Sequence, residues 1–439
     1  MSPTRSAFLD QKLRQLAWYG QRKPVFSEGN QVALLRGGRA LFPALCEAID
    51  QAKESVWLAC YIVSQTGEAG HVLQALQRAA RRGVDVRLVA DGIGSRETPP
   101  SMWSELKSHG VQCVIYRPVI GVIRAIFKPG QWRRMHMKLC VVDDQTAFVG
   151  GINLLDDLFD INHGWADTPR LDYAVRVTGA AVEPIVHTTK AIWTRAAIGR
   201  DWRDDVVMWL GEQNRLGRLR EWWHQTRLHM PPPRLQAEAL MTGVTHRPMR
   251  CAFVLRDNIL QRRTIERAFR SALTSARERV DIVTPYFYPG QGLRLALQQA
   301  AARGVQVRLL LQGKIDYAIA GLAARVLYEE LQHHGIQIYE YQAAFLHAKV
   351  LCVDGHWASI GSSNLDPLSM LLNLEANVIV DDRTFAQTLL AELDKDFSAA
   401  SVVAPPTPTT PAWRRGLARS FVAWCANLYL RMGGVRKRY

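Results

Sequence analysis

Two short segments of the chain each place a histidine, a lysine two positions later and an aspartate five positions after the lysine. These residues are His136, Lys138, Asp143, His347, Lys349 and Asp354. Apolar and β-branched residues separate each lysine from its aspartate, which predicts a strand. Because residues i and i+2 of a strand face the same way, the imidazole and the ammonium group of each segment point at one spot. That arrangement suits a phosphate group.

The chemistry of phosphoryl transfer requires these residue types. An imidazole is nucleophilic or basic near neutral pH and can carry a covalent intermediate. A lysine supplies positive charge to the phosphoryl oxygens. A small-residue turn follows each aspartate, so Asn153, Asn364 and the hydroxyl of Ser362 are predicted to donate hydrogen bonds to the same oxygens. A single such segment is as readily a solvated strand edge, whereas two with one spacing indicate two histidines, one to attack phosphorus and one to protonate the leaving alcohol.

Four carboxylates belong to the predicted set of site residues. The motif aspartates Asp143 and Asp354 complete the repeated pattern, but each lies roughly 16 Å along an extended strand from its lysine, at about 3.3 Å per residue. We therefore expect them to be structural rather than to touch the phosphate. A histidine nucleophile works best when a carboxylate fixes its other ring nitrogen. Asp172 and Glu375, which follow the two motifs and each precede a predicted strand, are the candidates.

The paired segments resemble the motifs of the phospholipase D superfamily, and the resemblance covers about residues 30 to 400. The words RRMHMK, FVGGIN, HAKVLCVD, GSSNLDPLS and NLEANVIV look like short-form bacterial cardiolipin synthases. The resemblance implies an α/β fold of two duplicated phospholipase D-like α/β/α sandwich domains with a shared active site, a phosphohistidine intermediate and no metal or other cofactor. It supports Asp172 and Glu375 as histidine partners. It also favours His136 as nucleophile and His347 as general acid, which the residues alone leave open.

The chain contains an internal repeat. RRGVDVRLVADG in the first half is answered by ARGVQVRLLLQG in the second, and HGVQCVIY by HGIQIYEY. Strands and helices alternate in both halves, which predicts a duplicated α/β domain rather than a solenoid. The predicted divisions are an N-terminal preamble, a first domain, a linker, a second domain, and a proline-rich linker with a basic amphipathic helix, at residues 1–28, 29–200, 201–248, 249–400 and 401–439.

The composition limits the partners and the compartment. A net charge of +15 at pH 7 predicts attraction to polyanions, either nucleic acid or an anionic membrane surface. Seven cysteines without metal-binding spacing indicate a reduced, cytosolic compartment. The N-terminal stretch lacks the apolar core of a signal peptide. No apolar run reaches the roughly 18 residues of a spanning helix, so we expect any membrane contact to be peripheral.

The C-terminal segment favours a membrane partner. Its apolar residues recur at helical spacing and form one stripe, with basic residues beside it and no acidic residue. The predicted membrane-binding residues are Trp413, Arg414, Arg415, Leu417, Phe421, Trp424 and Leu428. A helix packed on the protein core is the alternative. We expect the partner to be an anionic phospholipid membrane containing phosphatidylglycerol and cardiolipin, at the cytoplasmic side of the bacterial cell membrane. No nucleic acid partner is expected, and the oligomeric state is left open.

A second apolar and basic segment, residues 117–134, interrupts the first half just before its motif. It contains no acidic residue. We expect it to form a lip of the active site that touches anionic lipid. An ordinary packed loop is the alternative.

The leading functional prediction is cardiolipin synthesis, in which one phosphatidylglycerol gives its phosphatidyl group to a histidine, releases glycerol, and a second lipid hydroxyl then accepts the group. A phospholipase D-type hydrolase, or a transferase that uses another donor such as phosphatidylethanolamine, is one alternative. A nuclease or DNA-end phosphodiesterase is another, since it uses the same two histidines. Binding of single-stranded nucleic acid predicts aromatic and basic residues interleaved around the cleft, whereas here they form a C-terminal helical stripe. A basic membrane scaffold without catalysis is the third, and two intact motifs disfavour it.

Overall fold

The structure, a computed structural model, describes residues 17–118, 132–198, 248–314 and 318–404. The membrane-binding stripe predicted at Trp413 to Leu428 lies outside the described residues, as do nearly all of the predicted linker and most of the insertion at 117–134. Among the described residues, no helix is both long enough and apolar enough to cross a membrane.

The first half begins with a short helical turn and then alternates strands and helices, as the repeat predicts. Its elements are α1 (Ala17–Gly20), β1 (Ser27–Arg36), α2 (Gly37–Gln51), β2 (Ser55–Cys60), α3 (Gly67–Arg81), β3 (Asp85–Asp91), α4 (Pro100–Ser108), β4 (Gln112–Tyr116), β5 (Lys138–Val142), β6 (Thr146–Gly150), β7 (Phe159–Asp160), β8 (Gly164–Trp165), β9 (Tyr173–Thr178) and α5 (Val182–Ile198). The α1 turn packs across the molecule, where Trp18 makes an edge-to-face contact with Phe253 of the second half.

The second half repeats this order. Its elements are β10 (Met249–Arg256), α6 (Thr264–Ser275), β11 (Arg279–Thr284), α7 (Gln291–Ala302), β12 (Gln306–Gln312), α8 (Ala318–His333), β13 (Gln337–Tyr341), β14 (Val350–Val353), β15 (Trp357–Gly361), α9 (Pro367–Leu371), β16 (Glu375–Asp381), α10 (Arg383–Ser398) and β17 (Ser401–Val402). The correspondence confirms the predicted α/β fold of two duplicated domains.

Within the described ranges, 15 strands form one sheet in the order β17-β13-β12-β11-β14-β15-β16-β10-β1-β9-β6-β5-β2-β3-β4. β1 and β10 are antiparallel neighbours at its centre. From that pair, each half runs outward through equivalent strands to a parallel set, β2-β3-β4 in the first half and β11-β12-β13 in the second, where the short β17 adds an antiparallel edge. The motif strands β5 and β14 therefore occupy equivalent places on either side of the centre.

Helices cover both faces of the sheet because successive strand residues point to opposite sides. In β2, Val56 and Leu58 pack in the core formed with α2, α3 and α4. Trp57 packs with α5 in a second core, to which Leu393 of α10 also contributes. That second core runs through both halves, so separating them would expose its side chains to water. Helices α6, α7 and α8 enclose the remaining core of the second half.

Glycines end the equivalent helices α3 and α7. Gly83 has a φ of +88° and Gly304 a φ of +89°, in the left-handed region that favours glycine at a helix end. These turns send the chain into β3 and β12, whose carboxyl ends reach the site described below.

Candidate active site

Each motif histidine lies on a short bridge between the two halves. The backbone N–H of His136 donates to the carbonyl of Leu374 at 3.0 Å, and that of His347 donates to the carbonyl of Leu171 at 2.8 Å. Both bridges are parallel and isolated from the neighbouring strands. They bring the start of each motif against the residue that precedes a carboxylate in the opposite half.

As a result, each histidine meets the carboxylate of the opposite half. Nδ1 of His136 lies 3.1 Å from both carboxylate oxygens of Glu375, and Nδ1 of His347 lies 2.6 Å from Oδ2 of Asp172. The two imidazole ring centroids are 6.4 Å apart. A ring nitrogen that faces a carboxylate is the site of a shared proton, which leaves Nε2 for chemistry on the substrate. The spacing of the sequence suggested these two carboxylates but not their exchange between the halves.

The motif lysines lie directly beside the histidines. Lys138 and Lys349 are 5% and 3% exposed, and Nζ of each donates to the backbone carbonyl of its own histidine. Burial lowers the pKa of both ammonium groups, that of Lys349 to about 7. A phosphate anion between the histidines would favour the charged form of both. Among the described residues, no group of three His, Cys, Asp or Glu side chains is placed to hold a metal ion.

In the first histidine pair the carboxylate is ionised. Burial opposes ionisation of Glu375, but His136, Lys138 and a hydrogen bond from Ser362 outweigh burial and lower the pKa of Glu375. Oγ of Ser362 donates to Glu375 Oε2 at 2.5 Å and accepts from the Ala376 N–H at 3.0 Å. Burial lowers the pKa of His136. A neutral imidazole held by an ionised carboxylate is the state that a nucleophile requires.

The second histidine pair has a different environment. Gly151 stands where the other half has Ser362, and a Cβ added to it would lie 2.3 Å from Asp172 Oδ1, so no hydroxyl side chain fits. Burial raises the pKa of Asp172 to about 7, although Lys349 opposes the shift. Burial and then the charge of Lys349 lower the pKa of His347 well below its ordinary value. Near neutral pH this pair therefore retains a proton on its 2.6 Å hydrogen bond.

The predicted phosphate ligands differ in their surroundings. Oδ1 of Asn153 accepts from the Ile62 N–H at 3.2 Å, which orients that amide. Oδ1 of Asn364 is buried and has no hydrogen-bond partner in the described part of the chain, an unusual state for a buried amide. The prediction that Ser362 binds the substrate phosphate is wrong. Its side chain is fully buried, and its hydroxyl donates to Glu375.

The motif aspartates Asp143 and Asp354 are not brought to the imidazoles. The carboxylate of Asp143 accepts hydrogen bonds from the backbone N–H groups of residues 53–55, and that of Asp354 accepts from residues 277–279, at 2.8–2.9 Å. These bonds lie at the end of each motif strand away from the lysine and fix the turns into β2 and β11. Both carboxylates are occupied by backbone groups, so these two members of the predicted site lie away from the imidazoles, in agreement with the structural role expected from their distance along the strand.

A buried ion pair behind the first histidine was missed in the sequence. Nε and Nη2 of Arg134 donate to Asp91 Oδ1 at 2.9 and 2.6 Å, and Asp91 Oδ2 accepts from the Met135 N–H at 2.9 Å. In the second half, Gln312 Oε1 accepts from the Leu346 N–H at 2.6 Å. Each side chain thus holds the residue before a motif histidine. The repeated segments RLVADG and RLLLQG contain these two residues, because Asp91 and Gln312 stand at the ends of the equivalent parallel strands β3 and β12.

Tyr61 is a second residue that the motif spacing did not indicate. Its ring centroid lies 5.1 Å from that of His136 in an edge-to-face arrangement, and Lys138 Nζ lies 5.5 Å from the same phenol centroid. The first histidine therefore has an aromatic wall beside it.

Comparisons with known proteins agree with this geometry. The family model described as "Cardiolipin synthase, PLD-like domain" matches residues 45–165 and 269–397, once in each half. A cardiolipin synthase B from Salmonella typhi is 39% identical over 370 residues, covering 82% of this chain and 79% of the relative. The chain belongs to the phospholipase D-like family of cardiolipin synthases. A cardiolipin synthase B from Escherichia coli K12 is 36% identical over 378 residues, covering 85% of this chain and 81% of the relative.

These matches confirm the predicted family and the prediction of an enzyme, a phosphatidyltransferase of the phospholipase D superfamily. The crystal structure of phosphatidylserine synthase from Haemophilus influenzae Rd KW20 superposes with a TM-score of 0.62, covering 98% of this chain and 100% of that one. At 15% identity this likeness shows the shared fold alone.

Proposed function

We propose that the protein makes cardiolipin by transferring the phosphatidyl group of one phosphatidylglycerol to the hydroxyl of a second lipid, with a phosphohistidine intermediate and release of glycerol. The observation that carries this proposal is the pair of imidazoles, 6.4 Å apart and each held by a carboxylate. When two imidazoles lie beside one phosphorus, one can attack as the nucleophile while the other transfers protons. Relatives named cardiolipin synthase B support the choice of substrate.

In the first step, Nε2 of His136 attacks phosphorus, and the bond from phosphorus to the headgroup glycerol oxygen breaks. Glu375, ionised and bonded to Nδ1, stabilises the positive charge that grows on the ring. The ammonium groups of Lys138 and Lys349 stabilise the phosphoryl oxygens. The products of this step are a phosphatidyl group on His136 and free glycerol.

The proton for the leaving glycerol comes from the other pair. When Asp172 is protonated, it donates to the lone pair on Nδ1 of the neutral His347, so the imidazole carries its own proton on Nε2. The bound phosphate offsets the charge of Lys349, which otherwise depresses the pKa of His347. Nε2 then protonates the departing oxygen and is left with a lone pair.

In the second step this lone pair acts as a base. The terminal hydroxyl of a second lipid gives its proton to Nε2 of His347 as its oxygen attacks phosphorus, and the phosphorus–nitrogen bond to His136 breaks. Cardiolipin leaves, and both histidines return to their starting states. Because one phosphodiester is exchanged for another, no nucleotide or other activated donor is needed.

We also propose peripheral binding at the cytoplasmic side of the membrane. The net charge of +15 supports attraction to anionic lipid, and the predicted C-terminal stripe supplies aromatic and basic residues for an interface. Truncation after Pro411 should abolish binding to phosphatidylglycerol vesicles. If lipid binding is unchanged and DNA binding is lost, the lipid proposal fails.

The reaction is tested by incubating wild type and His347→Ala with phosphatidylglycerol vesicles and analysing both the lipids and the free glycerol. Cardiolipin and glycerol in equal amounts, from wild type alone, support the proposal. Phosphatidic acid as the sole product contradicts it and identifies a hydrolase. Cleavage of DNA without any change in the lipids identifies a nuclease.

A further inference from the structure

The residue opposite Glu375 in the sheet is an arginine. Arg256, the last residue of β10, pairs in register with Glu375, the first residue of β16. Side chains at directly opposed positions of an antiparallel pair lie on the same face of the sheet. The side chain of Arg256 therefore lies on the same face of the sheet as that of Glu375, which contacts His136. Arg256 is 3% exposed.

The charge of Arg256 is poorly compensated for so buried a group. Nη1 donates to the backbone carbonyl of Asn373, whereas Nε is buried without a hydrogen-bond partner in the described part of the chain. Burial lowers the pKa of Arg256 to about 9, although Glu375 and Asp257 oppose the shift. By contrast, the other buried arginine near the site, Arg134, has a carboxylate at 2.6 Å. A buried charge without a direct partner is costly, and an anionic ligand would reduce that cost.

The surroundings of Arg256 favour an anion further. Arg133 and Arg262 both add positive charge that depresses the pKa of Arg256. The first half has no equivalent guanidinium at this place. Its chain opposite Asp172 is Gly37, whose N–H donates to the Asp172 carbonyl at 2.9 Å. At this position of the sheet a guanidinium therefore stands beside Glu375 and has no counterpart beside Asp172.

We propose that Arg256 binds the phosphodiester of the acceptor lipid, an inference that rests on the proposed function. Phosphatidylglycerol as acceptor brings a second phosphate, separated from its attacking hydroxyl by the three carbons of the headgroup. The acceptor phosphate must then lie within the length of one glycerol headgroup of the reacting phosphate. The motif lysines each lie beside a histidine, at the reacting phosphate. A guanidinium group binds phosphate oxygens in a bidentate geometry, and Arg256 supplies it one strand away from Glu375.

The test compares two acceptors in one vesicle. Phosphatidylglycerol vesicles with added 1-butanol offer a phosphate-bearing acceptor and a neutral one, and the products are cardiolipin and phosphatidylbutanol. In Arg256→Gln we expect the ratio of cardiolipin to phosphatidylbutanol to fall by about ten- to hundredfold, the effect of losing one charged hydrogen-bonding group. Arg256→Lys, which keeps the charge but not the fork, should give an intermediate ratio. The matched control is Arg263→Gln, an exposed arginine nearby, for which the ratio should not change.

Equal losses of both products in Arg256→Gln would overturn the proposal and assign Arg256 to the positioning of Glu375. An unchanged ratio would also overturn it. Thermal unfolding is measured for every variant, and if Arg256→Gln does not fold, the ratio in Arg256→Lys decides. Wild type that forms phosphatidylbutanol but no cardiolipin would refute the proposed function itself, which separates that failure from the failure of the acceptor site.

Discussion

The two halves of the molecule present the same histidine in two different environments. His136 faces Glu375, whose ionised form is supported by the hydroxyl of Ser362. His347 faces Asp172, whose pKa is raised to about 7 by burial and which has Gly151 in place of a serine beside it. The His136–Glu375 pair is arranged to keep a lone pair of electrons on Nε2, and the His347–Asp172 pair is arranged to keep a proton.

This difference teaches that a duplicated motif need not produce two equivalent catalysts. The backbone bridges that place the two histidines are matched bond for bond, at 3.0 and 2.8 Å. The divergence lies in the residues behind the carboxylates, where Gly151 in one half replaces Ser362 in the other. The similar scaffold fixes where the imidazoles lie, and the hydroxyl of Ser362 is one of the groups that lower the pKa of Glu375 in one half only.

The largest expected effect separates the two histidines. With a phosphatidyl ester of p-nitrophenol, whose leaving group needs no proton, His347→Ala should release p-nitrophenol within about tenfold of wild type, because general acid catalysis, about 10²–10⁴-fold for an alcohol, is no longer needed. His136→Ala should remain more than about 10⁴-fold slower, because the nucleophile is missing. Release is followed by absorbance under single-turnover conditions. The reverse pattern would exchange the two assignments.

The second effect is a dependence on pH. Burial raises the pKa of Asp172 to about 7 and lowers that of Lys349 to about 7, and in the proposed mechanism the active form holds the proton of each. We therefore expect kcat/KM to be highest below neutral pH and to fall by at least about tenfold per unit well above pH 7. It is measured on phosphatidylglycerol vesicles from about pH 6 to about pH 9. Asp172→Asn lacks one titrating group, so its residual activity should fall less steeply. A profile that rises through neutrality would contradict the protonation states assigned here.

The third effect concerns the supporting residues. Ser362→Ala removes the hydroxyl from Glu375 and should lower kcat by about tenfold, the loss of one hydrogen bond to a charged group. Gly151→Ser forces a side chain against Asp172 and should lower the free energy of unfolding by about 1–3 kcal/mol. Steady-state kinetics and thermal unfolding measure the two effects. If Ser362→Ala keeps full activity, the hydroxyl does not explain the difference between the halves.

The smallest effect on the chemistry is expected at the motif aspartates. Asp143→Ala and Asp354→Ala each release three backbone N–H groups and should lower the free energy of unfolding by about 1–2 kcal/mol, as for a lost helix cap. Chemical denaturation should give similar values for the two variants, with kcat per folded molecule unchanged. A fall in kcat for a fully folded variant would show that Asp143 or Asp354 contributes to the chemistry and would contradict a purely structural role.

Much of the fold and part of the site could be predicted because their signals are local. The buried apolar run of β2 and the glycine that follows α3 each involve only a few neighbouring positions. His136 and His347 were found because their lysines and aspartates repeat at fixed spacing. The distance along the strand also favoured a structural role for Asp143 over contact with the phosphate, and its hydrogen bonds lie where that distance puts them.

What the sequence did not reveal depends on register between distant segments. The pairing of His136 with Glu375 requires the bridge between Met135 and Leu374, which no spacing along the chain encodes. Ser362 has the right type for a phosphate ligand, and only the three-dimensional structure shows that its hydroxyl donates to a carboxylate. The position of Arg256 likewise depends on how β10 pairs with β16.

The two backbone bridges, which place each motif histidine against a carboxylate of the opposite half, have a consequence for how such a site can evolve. A homodimer built from one half would be bound by symmetry to two identical dyads, so any substitution would alter both at once. Joining the two copies in one polypeptide removes that constraint, and a single codon change at Ser362 or Gly151 then affects one dyad only. Covalent linkage of the halves thus lets the surroundings of one imidazole change while those of its twin stay the same, as the division of roles that we propose requires.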